Sequence, residues 1–317
     1  MKVLAFALSA LLSTAAMAQP FPSRTVRWIV PFPPGGATDI IARIVAQKMT
    51  ESWGQPVVVE NRAGAAGAIG SDAVAKSAPD GHTILMGTTS THAVGPAINP
   101  RLPYNTLTDF TPVTLVATFP NVLVGHPSTA SSLQELIALL KANPGKYAFG
   151  SSGAGSSTHL TGELFKLMTQ TDVNHIPYKG TGPLLNDLMG GQVAFAFDQI
   201  TAVMSPIQAG KMRALGVASA ARNAALPDVP AIAEVLPGFE SIAWVGILGP
   251  ARMPQDLTAR IQLETKRILE LPDIAQRMKE LGAAPVASAP ADFAAFMAKD
   301  TEKWRSLVAT AKIKLEQ

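Results

Sequence analysis

The 317-residue chain carries 26 Lys and Arg against 23 Asp and Glu, a net charge of +3 with histidine neutral. Hydrophobic residues make up 47% and charged residues 15%, which is enough apolar material for two ordinary domains and not the composition of a disordered chain. Cysteine is absent, which excludes disulfides, thiolate zinc sites, Fe–S clusters and cysteine nucleophiles. The small positive balance, with no Lys/Arg cluster, gives no footprint for nucleic acid.

The first eighteen residues read as a leader. Lys2 supplies a positive start, Val3 to Leu12 is an apolar run with one serine, and Ala16-Met17-Ala18 is an A-x-A site before Gln19. The run is too short for a membrane span, which needs roughly 20 apolar residues. The pattern predicts cleavage after Ala18 and a soluble mature protein in a periplasm, held by its core without disulfides.

Strands and helices then alternate. Val26 to Val30 is a strand, and Pro31-Phe32-Pro33-Pro34-Gly35-Gly36 stops it before a helix with Ile40, Ile41, Ile44, Val45 and Met49 on one face. Val57–Glu60 and Thr83–Met86 are the next strands, with a helix near Ile69–Ser77 between them. Such apolar runs in βαβαβ order predict buried parallel strands. The pattern restarts with strands at Asn121–Gly125, Tyr147–Phe149, His175–Tyr178, Val193–Phe197 and Arg213–Ala218. Helices fall near 132–142, from Ser157 onward and near 183–189. Residues 220–230 form a connector. A strand at Trp244–Leu248 and helices near 254–270, 272–281 and 291–309 close the chain. Two α/β lobes are expected, with the helical tail packing back on the first. Ligands of open α/β sheets sit beyond the C-terminal ends of strands, so the loops there hold the candidates.

Those loops share one chemistry. Pro34-Gly35-Gly36-Ala37-Thr38-Asp39 places two glycines at a helix start, where unpaired amides can hold a carboxylate and Thr38 adds a hydroxyl. Asp39 stabilises the helix start from its first turn rather than contacting an anion. The bland alternative is a plain turn capped by Thr38. Gly150 to Thr158 carries four serines, a threonine and three glycines before another helix. A flexible linker would not run straight from a strand into an amphipathic helix, so a binding loop is the better reading. Thr88 to Thr91 is a third hydroxyl-rich loop, and Tyr178 and Asp198 end strands of the second lobe. His92 and His159 read as structural.

Rival motifs are weak. Gly64 to Gly70 is GxxGxxG, not the GxGxxG of a dinucleotide loop. No P-loop and no GxSxG elbow occurs. Ser157, His159 and Asp198 could be drawn as a triad, but residues two apart at a helix start do not face each other. The five histidines show no metal spacing, so neither cofactor nor metal is expected.

Across nearly its whole length the chain resembles the Bug/TctC family of periplasmic solute receptors. The matching segments, in order, include PSRTVRWIVPFPPGGATDIIAR, GQPVVVENRAGAAGAIG, APDGHTILMGT, HLTGELFK, HIPYKGTGP, GGQVAFAFDQI and LPDVPAIAE. The resemblance implies an α/β protein with the two-lobed type II periplasmic-binding-protein fold and a hinged interlobe cleft. Lobe 1 would comprise 19–120 and 225–317, and lobe 2 would comprise 121–224. It implies a ligand that is a small organic acid: a di- or tricarboxylate, an acidic amino acid or an aromatic acid. Carried onto this chain, the site would be Pro34, Gly35, Gly36, Ala37, Thr38 and Asp39, with Ser90 and Thr91, facing Gly155, Ser156, Ser157, Thr158 and Asp198. Ala154 and Gln199 depart from the family pattern, where asparagine is common at both positions. The implied partners are the membrane subunits of a tripartite tricarboxylate transporter, or a sensor protein if the chain serves signalling. An enzyme, such as a secreted hydrolase, is the weaker alternative, because no convincing nucleophile, base or metal centre is present.

Overall fold

The computed structural model describes residues 21–311 and residue 313, so the leader assigned to 1–18 lies outside the described residues. In chain order the elements are β1 (Val26–Val30), α1 (Ala37–Trp53), β2 (Val57–Asn61), α2 (Ala68–Ala75) and β3 (Thr83–Thr88). A π-helical turn at Ser90–Val94 leads into the short α3 (Gly95–Ile98) and the long β4 (Phe110–Gly125). Then come α4 (Leu133–Ala142), β5 (Ala148–Ser151), α5 (Ser157–Thr169), β6 (Asn174–Pro177), α6 (Thr181–Met189), β7 (Phe195–Gln199), α7 (Ile200–Gln208) and β8 (Arg213–Val217). The chain returns through β9 (Ile242–Pro250) and ends with α8 (Gln255–Leu269), α9 (Pro272–Glu280), β10 (Ala284–Pro285) and α10 (Pro290–Ala311).

All strands join one curled sheet in the order β2-β1-β3-β9-β4-β7-β5-β6, with β8 and β10 also on β4. β1 pairs parallel with β2 and β3, and β5 pairs parallel with β6 and β7. β4 joins these two parallel groups. Its residues Phe110 to Pro120 pair with β9, and Asn121 to Gly125 pair with β7. The partner therefore changes between Pro120 and Asn121.

Sequence reading found only the last five residues of β4. Its first eleven contain Pro112 and Pro120, and the pairing shifts register between Pro112 and Thr114 and again between Leu115 and Ala117. Bulges of this kind admit proline and break the period-2 pattern that marks a strand. Helix α7 was missed as well, since Pro206 lies inside it.

The helices cover both faces. α1 buries Ile41, Val45 and Met49, and it ends at Gly54, whose left-handed backbone donates its N–H to the Thr50 carbonyl at 3.1 Å. Each such apolar side chain contributes about 1.5–3 kcal/mol when fully buried. A second core, around Leu123, Phe149, Phe165 and Phe197, also holds Ile232 and Phe239 from the segment between β8 and β9. α10 packs on β4, α3 and the Ser90–Val94 turn, where the Thr301 hydroxyl donates to the His92 carbonyl at 3.1 Å. Among the described residues no helix is long and apolar enough to cross a membrane.

Candidate ligand site

The loops after β1, β3, β5, β6 and β7 converge on a cavity of about 30 Å³. That is room for about two waters. Its polar lining comes from Gly36, Ala37 and Thr38, from Thr88, Thr89 and Ser90, and from Ser152, Ser157, Thr181 and Gln199. Among the described residues no charged side chain lines it. Ala37, Ser157 and Thr181 are the first residues of α1, α5 and α6, and Gln199 is the cap of α7. Four helix starts therefore meet at one small volume, each with amides that have no partner inside its helix.

The α1 turn differs from the capped alternative. Its cap is Gly36, not Thr38, and no side chain caps the helix. Gly35 takes a φ of +88°, which favours glycine, whereas Gly36 is extended and faces Thr181 across the cleft. Asp39 is buried behind the turn. It accepts from the Gly35 N–H at 3.1 Å, from Asn61 Nδ2 at 2.9 Å and from Arg43 Nε at 3.0 Å. Burial pushes this carboxyl up, but the bonds from Arg43, Asn61 and Gly35 outweigh it and hold the group below its ordinary range.

In the loop after β5, Ser156 caps α5 by accepting from the His159 N–H at 3.2 Å. The Thr158 hydroxyl accepts from the Ser152 N–H at 3.0 Å, and the Gly155 N–H donates to His159 Nδ1 at 3.1 Å. These three residues shape the loop while Ser157 reaches the cavity. Ser157 also touches the other side, because its N–H donates to Ser90 Oγ at 3.0 Å. His159 stacks on His175 with ring centroids 3.9 Å apart. Burial lowers His159 to about 4 and His175 to about 3, so both rings are neutral near pH 7.

Asp198 is fully buried. Its Oδ1 accepts from the Gln199 N–H at 2.7 Å and from the Thr181 hydroxyl at 3.3 Å, while Oδ2 has no partner. Burial raises its carboxyl to about 7. Thus Asp198 stands behind two lining residues and holds both. Ser157, His159 and Asp198 are joined by no hydrogen bond among the described residues, and each is committed elsewhere.

Of the residues chosen from sequence, Gly36, Ala37, Thr38, Ser90 and Ser157 line the cavity. Asp39, Thr91, Ser156, Thr158 and Asp198 are buried beside it. Thr91 builds the turn after β3, where its hydroxyl accepts from the Thr88 N–H at 3.0 Å. Pro34 and Gly35 are exposed, and Gly155 faces a neighbouring cavity. Sequence reasoning missed Thr181, although a hydroxyl after a glycine at a helix start was the same signal used elsewhere. It also missed the β9 backbone at Trp244, whose N–H donates to Thr89 Oγ1 at 2.8 Å. No local pattern marks that residue, and its indole points away to donate to Asp300 at 2.7 Å.

Residues 41–313 match the family model described as the tripartite tricarboxylate transporter family receptor. The chain is 40% identical to protein BugT of Bordetella pertussis over 313 residues, covering 96% of each chain. It is similar to an R. palustris protein solved with adipate, at a TM-score of 0.91 and 34% identity, covering 93% of this chain and 99% of that one. It is also similar to MatC from Rhodopseudomonas palustris with bound malate, at a TM-score of 0.86 and 34% identity, covering 91% of this chain and all of the other.

Proposed function

The chain belongs to the tripartite tricarboxylate transporter receptor family, and from that premise we propose that it captures a small organic carboxylate between two lobes for uptake by transporter subunits in the membrane. The observation that carries the ligand class is the meeting of four helix starts at one cavity with a neutral, hydroxyl-rich lining. Partial positive charge at each helix start favours an anion, and amides and hydroxyls hold it without a buried ion pair that would resist release. Asp198 suits this arrangement. Burial raises its carboxyl to about 7, which reduces its negative charge beside the site, and Oδ1 is occupied by Thr181 and Gln199. The bound adipate and malate of two similar proteins fit the same chemistry.

The site residues of this reading are Gly36, Ala37, Thr38, Ser90, Ser157 and Thr181 in contact with ligand, with Asp39, Thr91, Ser156, Thr158 and Asp198 holding the loops. The protein acts as a binder rather than an enzyme, and it works in the periplasm after cleavage behind Ala18. In this reading the first lobe ends near Pro120, and the change of β4 partners there supports it. In this reading the packing of Ile232 and Phe239 with Phe165 and Phe197 supports a return crossing near Ser241. A cavity of about 30 Å³ is too small for a dicarboxylate, so the lobes must part to admit one. Backbone bonds knot Asn121, Ala218 and Ser241 together at the crossing, from Asn121 N to Ser241 O, Ala218 N to Asn121 O and Ser241 N to Ala218 O.

The test is competition on one carbon skeleton. A carboxylic acid should displace a bound reference acid, whereas its neutral amide and the corresponding cationic amine should not. If the amide or the amine outcompetes the acid, the carboxylate reading is wrong. Mass spectrometry of the periplasmic protein should find Gln19 at the N-terminus.

A further inference from the structure

Asn121 stands where β4 leaves β9 and takes up β7. Its side chain turns into a cluster with Thr161 and Ser241, and all three residues are fully buried. Asn121 Nδ2 donates to Thr161 Oγ1 at 3.0 Å and to Ser241 Oγ at 2.9 Å. The two hydroxyl oxygens lie 2.6 Å apart, and the Thr161 hydroxyl donates to the Ser157 carbonyl at 2.7 Å. The cluster joins β4 to α5, 40 residues on, and to the segment before β9, 120 residues on.

The protons of this cluster run one way. A hydroxyl has one proton to give. That of Thr161 goes to the Ser157 carbonyl, so Thr161 accepts from both Asn121 and Ser241. Ser241 gives its proton to Thr161 and accepts from Asn121. Both amide protons of Asn121 are then used. Turning the amide over would set Oδ1 against the Thr161 oxygen, whose one proton is already given. Every donor of the cluster is paired, and a donor freed at this depth would have no water to replace its partner.

The series ends at the ligand site. Ser157 opens α5, lines the cavity of about 30 Å³, and donates its N–H to Ser90 Oγ at 3.0 Å. Thr161 lies one turn further along the same helix and grips its first carbonyl. The main chain at the crossing is held too, since Asn121 N donates to Ser241 O at 3.1 Å and Ser241 N to Ala218 O at 2.8 Å. A rotation about the crossing must therefore break the cluster or carry the start of α5 with it.

We propose that Asn121 is a positioning residue for ligand capture. Acting through Thr161, it fixes the start of α5 to the crossing, so that Ser157 arrives opposite Ser90 when the cleft closes. The proposal rests on the capture reading above only in that Ser157 touches ligand.

Thr161→Val and Thr161→Ser separate this role from packing, because valine keeps the shape without the hydroxyl and serine keeps the hydroxyl without the methyl. Amide exchange followed by NMR on the full mature chain, free of ligand, reads the placement of α5. Thr161→Val should speed exchange of the Ser157 N–H at least tenfold and leave the amides of Leu164 to Thr169 as in the wild type. Thr161→Ser should change neither. No change in Thr161→Val, equal speeding in both variants, or loss of protection along the whole helix overturns the proposal. Asn121→Leu should speed Ser157 exchange as much as Thr161→Val does, and the double variant no further, because the two residues act in series. Additive effects overturn the action through Thr161, and the Thr161 pair decides alone if Asn121→Leu does not fold. Calorimetric titration with adipate and malate tests the link to capture, where Thr161→Val should bind about tenfold more weakly than the wild type and Thr161→Ser equally. Unchanged affinity in Thr161→Val overturns that link. A wild type that binds neither acid counts against the capture reading, and the exchange test still decides the placement of α5.

Discussion

Ser90 and Ser157 meet across the cleft, 67 residues apart in sequence: Ser90 Oγ accepts from the Ser157 N–H at 3.0 Å and lies 3.3 Å from the Ser157 hydroxyl. Ser90 follows β3 and Ser157 opens α5, so this pair links the two parallel strand groups directly. A net hydrogen bond contributes about 0.5–1.5 kcal/mol. Ser90→Ala should therefore shift the ligand-free protein toward an open cleft, with a larger radius of gyration in small-angle scattering. Ligand affinity should fall about tenfold. An unchanged radius with unchanged affinity would show that the contact is incidental.

Gly180 should act as a closure stop. It caps α6 with a φ of +106°, and a Cβ there would lie 2.7 Å from Pro33 Cγ and 2.9 Å from Pro33 Cδ. The proline ring cannot swing aside as a flexible side chain would. Gly180→Ala should fold with a modest stability loss of about 1–3 kcal/mol from backbone strain. Its ligand affinity should drop more than tenfold, because the added methyl props the lobes apart. Wild-type affinity in this variant would mean that Pro33 and Gly180 separate in the bound state.

Asp39 should matter through the turn it anchors. Asp39→Ala leaves the Gly35 N–H, Arg43 and Asn61 without their shared acceptor. Hydrogen bonds to charged groups contribute about 1.5–3 kcal/mol, so the melting midpoint should fall accordingly. Affinity should weaken for every acid by a similar factor, since Asp39 holds the turn without lining the cavity. A change in the rank order of acids would place its carboxylate against the ligand instead.

The pH dependence of stability has a calculable sign. Asp198 titrates at about 7 in the folded chain against an ordinary 3.8, so between these values the folded state holds a proton that the unfolded state has released. Its contribution is present at low pH and is lost as pH rises through about 7. Burial lowers His92 to about 3, and His159 and His175 lie at about 4 and about 3. For each, the unfolded state binds a proton that the folded state refuses between roughly pH 4 and 6.5, and stability is lost as pH falls. Three histidines outweigh one aspartate in that window. Denaturant melts should show stability rising from pH 4.5 to 6.5. In Asp198→Asn the rise should be steeper and any decline toward pH 7.5 absent. Parallel wild-type and variant curves would mean that Asp198 is ionised throughout.

The helix starts were legible from sequence because their signals are local. Buried parallel strands read as apolar runs, and Gly35-Gly36 and the Ser/Gly run before α5 punctuate them. The leading residues of α1 and α5 could therefore be picked out as donors. Thr181 carries the same signal, but the apolar pattern predicts its helix from Pro183, two residues past its true start. The first eleven residues of β4 were hidden by proline and two register shifts, and with them the strand that joins the two halves of the sheet.

Which candidates touch the cavity was decided by tertiary structure alone. Asp39 and Asn61 are 22 residues apart, and Thr89 and Trp244 are 155 apart. Nothing in either local pattern names the other partner. A helix start offers amides wherever it lies, but whether four of them converge depends on how β4 orients one strand group against the other. The 30 Å³ cavity and the 200 Å³ space beside it are set by that orientation. Local periodicity identifies donors and cores because it acts over a few residues, whereas the shape of a cleft is a relation between surfaces that only long-range strand pairing brings face to face.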